Sequence, residues 1–344
     1  MKIIDLIIQP FNEIFKLPLK TANHQIINRS GFIIKIISDQ GEGYGESSPL
    51  LGFSNETLKE VSYALESYRL AVTGLEESCS DELISLVSIH SNGLPSVEFG
   101  LETAIYDMIS KIDNKSFSQY LNKNSYKTLK SNGIVGIHGP EENFRVMKVK
   151  VGNRNLFDEL NNLSFLTEEF GEDIKFRLDA NGSMDLVRAI RLCKEIEKYN
   201  IDYFEQPLPK EALEDLAELR NHTSIPIAVD ESLTNINSAE NILEFQAADV
   251  FIVKPMLTGR YHDMKNILEL SRSNDVRSVI TSTIESNIGL SACVHIASSL
   301  LINEVCGFST YSLFKKKQEL PFDFNNGVIT LTNSYGLGFK NNVI

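Results

Sequence analysis

Along the first third of the chain the apolar residues fall into two β-like runs, 2–9 and 31–38, and then two stretches with helical spacing, 55–73 and 97–112. In the latter, Val97, Leu101, Ala104, Ile105 and Met108 share one face, the arrangement of a helix lying on a core. Gly41, Gly43 and Gly45 mark a turn after the second run. Strands first and helices afterwards predict a small α+β unit. From about residue 130 short apolar runs alternate with longer amphipathic stretches. The runs are GIVGI at 133–137, VMKVKVG at 146–152, KFRLDAN at 175–181, DYFEQP at 202–207, PIAVDES at 226–232, VFIVKPM at 250–256, SVITSTIES at 278–286 and VCGFST at 305–310. Eight runs separated by helix-like intervals predict an α/β barrel of the (β/α)8 type. The polar, Gly-containing end of the chain is left over to rejoin the first unit. The expected division is therefore 1–125, a barrel over 126–312, and a returning segment over 313–344. Only ~10 residues, 136–145, separate the first two barrel runs, and a parallel crossover takes about a dozen or more. The first barrel helix is thus predicted to be short or missing.

Composition adds limits. Of the 344 residues 42% are hydrophobic and 23% charged, which is ordinary for a globular protein. A formal net charge of −13 repels phosphate backbones and anionic lipid, so neither nucleic acid nor a membrane is expected as a partner. A small-molecule substrate bound in a locally cationic pocket is compatible with it. Cys79, Cys193, Cys293 and Cys306 form no CxxC pair, which argues against a zinc site or a disulfide framework and suits a reducing cytoplasm. The opening MKIIDLIIQPFN is interrupted by Asp5, Gln9 and Pro10 before it becomes a signal-peptide core. The pattern leaves a homo-oligomer open.

The candidate chemistry sits at the ends of the barrel runs. Lys148 and Lys150 are two apart on a strand and so point to one face, and Asp179 and Asn181 repeat this spacing on the next run. Glu205, Asp230 and Lys254 follow, with Asp179, at intervals of ~25 residues, the length of one strand, one helix and two short loops. Each therefore recurs at an equivalent point, and strand C-terminal ends converge on one mouth of a barrel. Gathering Asp179, Glu205 and Asp230 there without a cation is costly, because like charges at short range resist ionisation. Oxygen ligands with no histidine or cysteine favour Mg2+. Lys150, beside Lys148 and facing a metal, fits a base that removes a proton α to a carboxylate, with Lys254 on the opposite face.

KVK at 148–150, DAN at 179–181, FEQP at 204–207, VDES at 229–232 and IVKP at 252–255 together resemble the muconate-lactonizing subgroup of the enolase superfamily. GEGYGESSPL at 41–50 and PSVEFGLETAIYD at 95–107 resemble that superfamily's capping domain and its junction. The resemblance implies a (β/α)7β modified TIM barrel with a discontinuous α+β capping domain. It implies Mg2+, replaceable by Mn2+, held by Asp179, Glu205 and Asp230, with Asn181 and Glu231 orienting the ligands. Within the subgroup, Ser282, Glu285, Ser286, Asn287, Ile288 and Gly289, with GFSTYSLF at 307–314, look like the o-succinylbenzoate synthases. Dipeptide epimerases usually carry Asp-x-Asp where this chain has Phe308, Ser309 and Thr310, so an ammonium ligand looks absent. The implied reaction is a lyase step of menaquinone synthesis through a metal-stabilised enediolate, in which Lys150 takes the proton and Lys254 and Lys148 act as cations. The capping loop at 17–30 is expected to share in substrate choice.

Other readings stay open. A racemase or epimerase would use Lys150 and Lys254 as opposed bases, and a non-catalytic relative would keep only the metal scaffold. The Ser282–Glu285–Ser286 group suits either substrate contact or turn-and-cap chemistry. His138, His295 and the Lys315–Lys317 run read as structural, and the glycines at 41, 43 and 45 lack the context of a dinucleotide loop.

Overall fold

The computed structural model describes residues 1–20 and 25–339. Its first part is an antiparallel sheet of β1 (Ile3–Lys20), β2 (Gln25–Ser38) and β3 (Glu42–Ser47), in that order. Helices α1 (Leu58–Val72), α2 (Ser80–His90), α3 (Pro95–Ile112) and α4 (Phe117–Leu121) follow. The two long strands exceed the predicted runs. β1 continues through Pro10, which pairs in register with Phe32, because an edge strand can lose a ladder donor without penalty. Most of the predicted capping loop is therefore hairpin; its residues 21–24 lie outside the described residues. Gly43 and Gly45 prove to be strand residues in β3 rather than turn residues. A Cβ at either would meet the α3 backbone at 2.1 and 2.0 Å, so they are the points where helix and sheet come closest.

After β4 (Thr128–Lys130) comes the parallel sheet: β5 (Gly133–Ile134), β6 (Val146–Lys150), β7 (Lys175–Asp179), β8 (Ile201–Glu205), β9 (Ile227–Val229), β10 (Val250–Val253) and β11 (Arg277–Ile280), paired in sequence order. The intervening helices are α5 (Leu156–Phe170), α6 (Leu186–Ile196), α7 (Leu213–Asn221), α8 (Ile236–Glu244), α9 (Pro255–Thr258) and α10 (Tyr261–Ser273), with α11 (Asn287–Ser299) after β11. Residues 306–307 bridge in parallel to Ser131 on one edge and Thr281 on the other, closing the ring as its eighth member. This is the (β/α)7β architecture. The β5–β6 crossover holds only a single 3-10 turn, Pro140–Glu142. Phe144 fills the place of the missing helix: it packs on His138, ring centroids 4.9 Å apart, and on Phe324 of the hairpin β12 (Phe322–Asn325) and β13 (Val328–Leu331). That hairpin pairs with β4, and Phe314 just before it packs against Phe15 of β1.

Strand parity decides what faces the inside of the ring. Met147, Val149, Phe204, Val229, Phe251 and Val253 belong to the large core between strands and helices. Their alternates Tyr203, Ala228, Val250, Ile252 and Val279 form a separate small cluster within the barrel. Lys148, Lys150, Asp179, Glu205, Asp230 and Lys254 share the parity of this inner set. No helix among the described residues is long and apolar enough to cross a membrane.

Candidate active site

The parallel register brings the inner residues level. Lys150 pairs with Asp179 and Asp179 with Glu205 across three adjacent strands. Lys148 lies between two carboxylates: its Nζ is 2.9 Å from Asp179 and donates to both oxygens of Glu205 at 2.7 and 2.8 Å. Lys150 donates to Asp179 at 2.8 Å and also to the Asn181 side-chain oxygen. Lys254 donates to Asp230, and its ammonium lies 4.4 Å from the centre of the Phe53 ring. The two candidate bases differ in access: the side chain of Lys150 is 55% exposed and that of Lys254 only 11%.

Asp179, Glu205 and Asp230 are all buried, and the electrostatics follow from that. Burial and the neighbouring Asp179 push the Glu205 carboxyl up to about 8, against the opposing pull of Lys148. Burial would raise Asp179 too, but the ammonium groups of Lys148 and Lys150 hold it far below the usual carboxylate range. For Lys148 the desolvation penalty is outweighed by Asp179 and Glu205, and its pKa stands well above the ordinary value. Three buried carboxylates against lysines already shared between them are a donor set of the kind a hard divalent cation takes. Among the described residues no three acidic, His or Cys side chains are already gathered into a metal cage; here the carboxylates turn toward the lysines instead.

The loops behind these strands are held by polar clamps. Asn181 adopts a left-handed backbone (φ 46°), its N–H bonds to Asp179 and its side-chain amide donates to Glu231 at 2.9 Å. Gln206, a residue to which the motif reading gave no role, also has positive φ (37°). Its side-chain oxygen accepts from the N–H groups of Asp230 and Ser232, tying the loop after β8 to the loop after β9. Below the carboxylates Arg177 stacks on Tyr203 at 4.6 Å and pairs with Asp202. The sequence signal for this stack was available, since Arg177 and Tyr203 both share the inward parity.

Ser282, Glu285 and Ser286 form a different assembly. Glu285 is fully buried and accepts from the Ser282 hydroxyl and the Thr283 N–H. Ser286 caps α11. Asn287 donates to the Glu319 carbonyl and lines a separate cleft of about 830 Å3 with Lys316, Lys317 and Phe339. Among the described residues, no hydrogen bond or ion pair joins these groups to Lys148, Lys150 or Lys254. Ser282 does accept from Thr310 at 2.8 Å, so the last barrel element and this loop are held together.

Comparison with known proteins agrees with this architecture. Residues 138–342 match the Enolase C-terminal domain-like family and residues 15–108 match the MenC, N-terminal domain family. The chain is 25% identical over 333 residues to the L-Ala-D/L-Glu epimerase of Bacillus subtilis, covering 92% of this chain and 89% of the relative. It is 27% identical over 325 residues to the o-succinylbenzoate synthase of Vibrio cholerae, covering 90% and 91%. Among solved structures, the dipeptide epimerase of Enterococcus faecalis complexed with Mg and L-Leu-L-Tyr superposes with a TM-score of 0.87 at 22% identity, covering 98% of this chain and 99% of the other.

Proposed function

The chain belongs to the enolase superfamily, and within it we propose that it is a Mg2+-dependent o-succinylbenzoate synthase. The reaction is the syn-dehydration of 2-succinyl-6-hydroxy-2,4-cyclohexadiene-1-carboxylate to 2-succinylbenzoate, a step of menaquinone synthesis in the cytoplasm. The observation that carries this choice over an epimerase is the end of the last barrel element. Phe308 and Ser309 are buried and the Thr310 hydroxyl is spent on Ser282, so these positions offer no carboxylate to a substrate ammonium. The acid of the neighbouring loop, Glu285, has its oxygens engaged inside the protein. Likeness to the MenC, N-terminal domain family supports the same choice, whereas the likenesses to the Vibrio synthase and the Bacillus epimerase are equal in degree.

In this reading Asp179, Glu205 and Asp230 would hold Mg2+, or Mn2+ in its place, which when bound would supply positive charge to the substrate carboxylate. Lys150, the exposed lysine, takes the proton from the ring carbon bearing the carboxylate, and the C–H electron pair becomes the new ring double bond as the C–O bond breaks. Lys150 then returns its proton to the departing hydroxide, so one water leaves and the ring becomes aromatic. Lys254, buried under Phe53, serves as a fixed positive charge, and Lys148 neutralises Asp179 and Glu205. Asn181, braced by Glu231, orients Lys150. The 1–125 capping unit, the 126–312 barrel and the returning 313–344 segment belong to the same proposal.

The test is a steady-state assay following loss of the diene absorbance with Mg2+ and with EDTA. Turnover that requires metal and vanishes in Lys150→Ala is expected, with Lys254→Arg retaining a substantial fraction. Silence from folded, metal-loaded protein rejects the synthase. Equal loss in the Lys150 and Lys254 variants, with proton exchange into dipeptides or N-acylamino acids, would establish the two-base racemase or epimerase reading instead.

A further inference from the structure

Beside the lysine–carboxylate cluster, and touching it at Lys254 through Phe53, stands an apolar roof drawn from separate parts of the chain. Phe15 and Ile26 come from the β1–β2 hairpin, Leu50 and Phe53 from the loop after β3, and Ile284 from the loop after β11, with Leu313 and Phe314 packed among them. Phe53 reaches furthest, lying on the Lys254 ammonium. Apolar packing of this kind is non-directional and would by itself leave the loops free to slide.

One side chain ties the hairpin and the loops after β3 and β11 together. Arg29 on β2 is 1% exposed, and every nitrogen of its guanidinium donates to a backbone carbonyl. Nε donates to Ile284 at 3.0 Å, Nη1 to Pro49 at 2.6 Å and Nη2 to Ser48. The planar fork fixes directions as well as distances, which an ammonium would not. Its bond to Ile284 falls on a strained residue, because Ile284 has φ 63°, a left-handed backbone that a β-branched side chain rarely adopts. The same junction is locked from the other side: Glu46 of β3 accepts from the Ser286 and Gly289 N–H groups at the start of α11, at 3.1 and 2.9 Å.

We infer that Arg29 is a positioning residue that sets the roof over the active site, holding Ile284 in its strained conformation and placing Phe53 over Lys254. The inference rests on the site assigned under Proposed function but not on the reaction chosen there. The arrangement determines how much room a carboxylate substrate's apolar body has beneath the roof, so loosening it should weaken substrate binding more than the chemical step.

The chain contains no tryptophan, so Phe53→Trp supplies a single fluorophore at the roof. In that background Arg29→Met and Arg29→Lys are compared with the parent. We expect a several-fold rise in acrylamide quenching of the introduced indole and a red-shifted emission in both, with the unfolding transition still cooperative. For whichever substrate proves active, KM should rise roughly tenfold with kcat little changed. Arg29→Lys keeps the charge and a stem able to reach one carbonyl, so it carries the test if the methionine variant does not fold. Variants that melt earlier yet leave quenching, emission and KM at parental values would show Arg29 to be merely structural and overturn the inference. Quenching needs no turnover, so this result is separable from failure of the synthase assay.

Discussion

Lys148→Met removes the ammonium that lies between two buried carboxylates while keeping most of the side-chain volume. Its contacts are 2.9 Å to Asp179 and 2.7 Å to Glu205, with side-chain exposures of 2% and 0% for the two acids and 23% for the lysine. At an effective dielectric of ~20 each contact amounts to ~6 kcal/mol before desolvation is subtracted. What is lost on deletion is smaller, roughly 3–5 kcal/mol, chiefly the cost of leaving like charges buried without a partner. Proton uptake by one acid relieves part of this, which favours the lower end. For a chain of this size that corresponds to a fall in Tm of roughly 4–7 °C, measured by circular dichroism in EDTA. Mg2+ should then stabilise the variant more than the wild type, because the cation meets carboxylates no longer neutralised by Lys148. Binding at a hundred times Kd contributes about 2.7 kcal/mol. A variant melting within ~1 °C of wild type in EDTA would refute the buried-charge reasoning. A smaller Mg2+ shift in the variant than in the wild type would refute the assignment of Asp179 and Glu205 to the cation.

Other expectations are independent of the metal. His295 is buried, its Nδ1 accepts from the Ser118 N–H, and burial lowers its pKa to about 4. The unfolded chain takes the proton first, so the stability is whole above the unfolded value of ~6.5 and drains as pH falls toward the folded value, by about 3 kcal/mol in all. Urea titrations between pH 7 and 4 should show this loss, and His295→Asn should flatten it; an unchanged slope in the variant would place the loss elsewhere. Of the four cysteines only Cys79 is exposed, and burial raises the Cys193, Cys293 and Cys306 thiols. A thiol reagent should therefore titrate one group quickly in the native protein and four after denaturation; rapid reaction of a second would contradict the packing of α6, α11 or the closing strand.

The sequence alone determined the repeating part of this protein. Apolar runs with charged ends recurring every ~25 residues dictate strands in a ring, and parity two along a strand dictates which charged residues share its inside. That reasoning is local and periodic, so Lys148, Lys150, Asp179, Glu205, Asp230 and Lys254 could be named before any coordinates, as could the absence of a full helix between 136 and 145. Where the pattern was local but its partner was not, the reading stopped short. Gly43 and Gly45 looked like turn residues because their reason, the α3 backbone against β3, lies about 60 residues on. Ser282, Glu285 and Ser286 allowed two readings, and only the arrival of Glu46 at the start of α11 shows what Ser286 touches. Arg29 and Phe53 carried no signal, since a lone arginine or phenylalanine outside a motif says nothing of three carbonyls or an ammonium contributed by loops far away in the chain. Periodicity records which face a residue turns to its neighbours. Which distant loop closes over that face is decided by packing between elements, and no single stretch of sequence contains it.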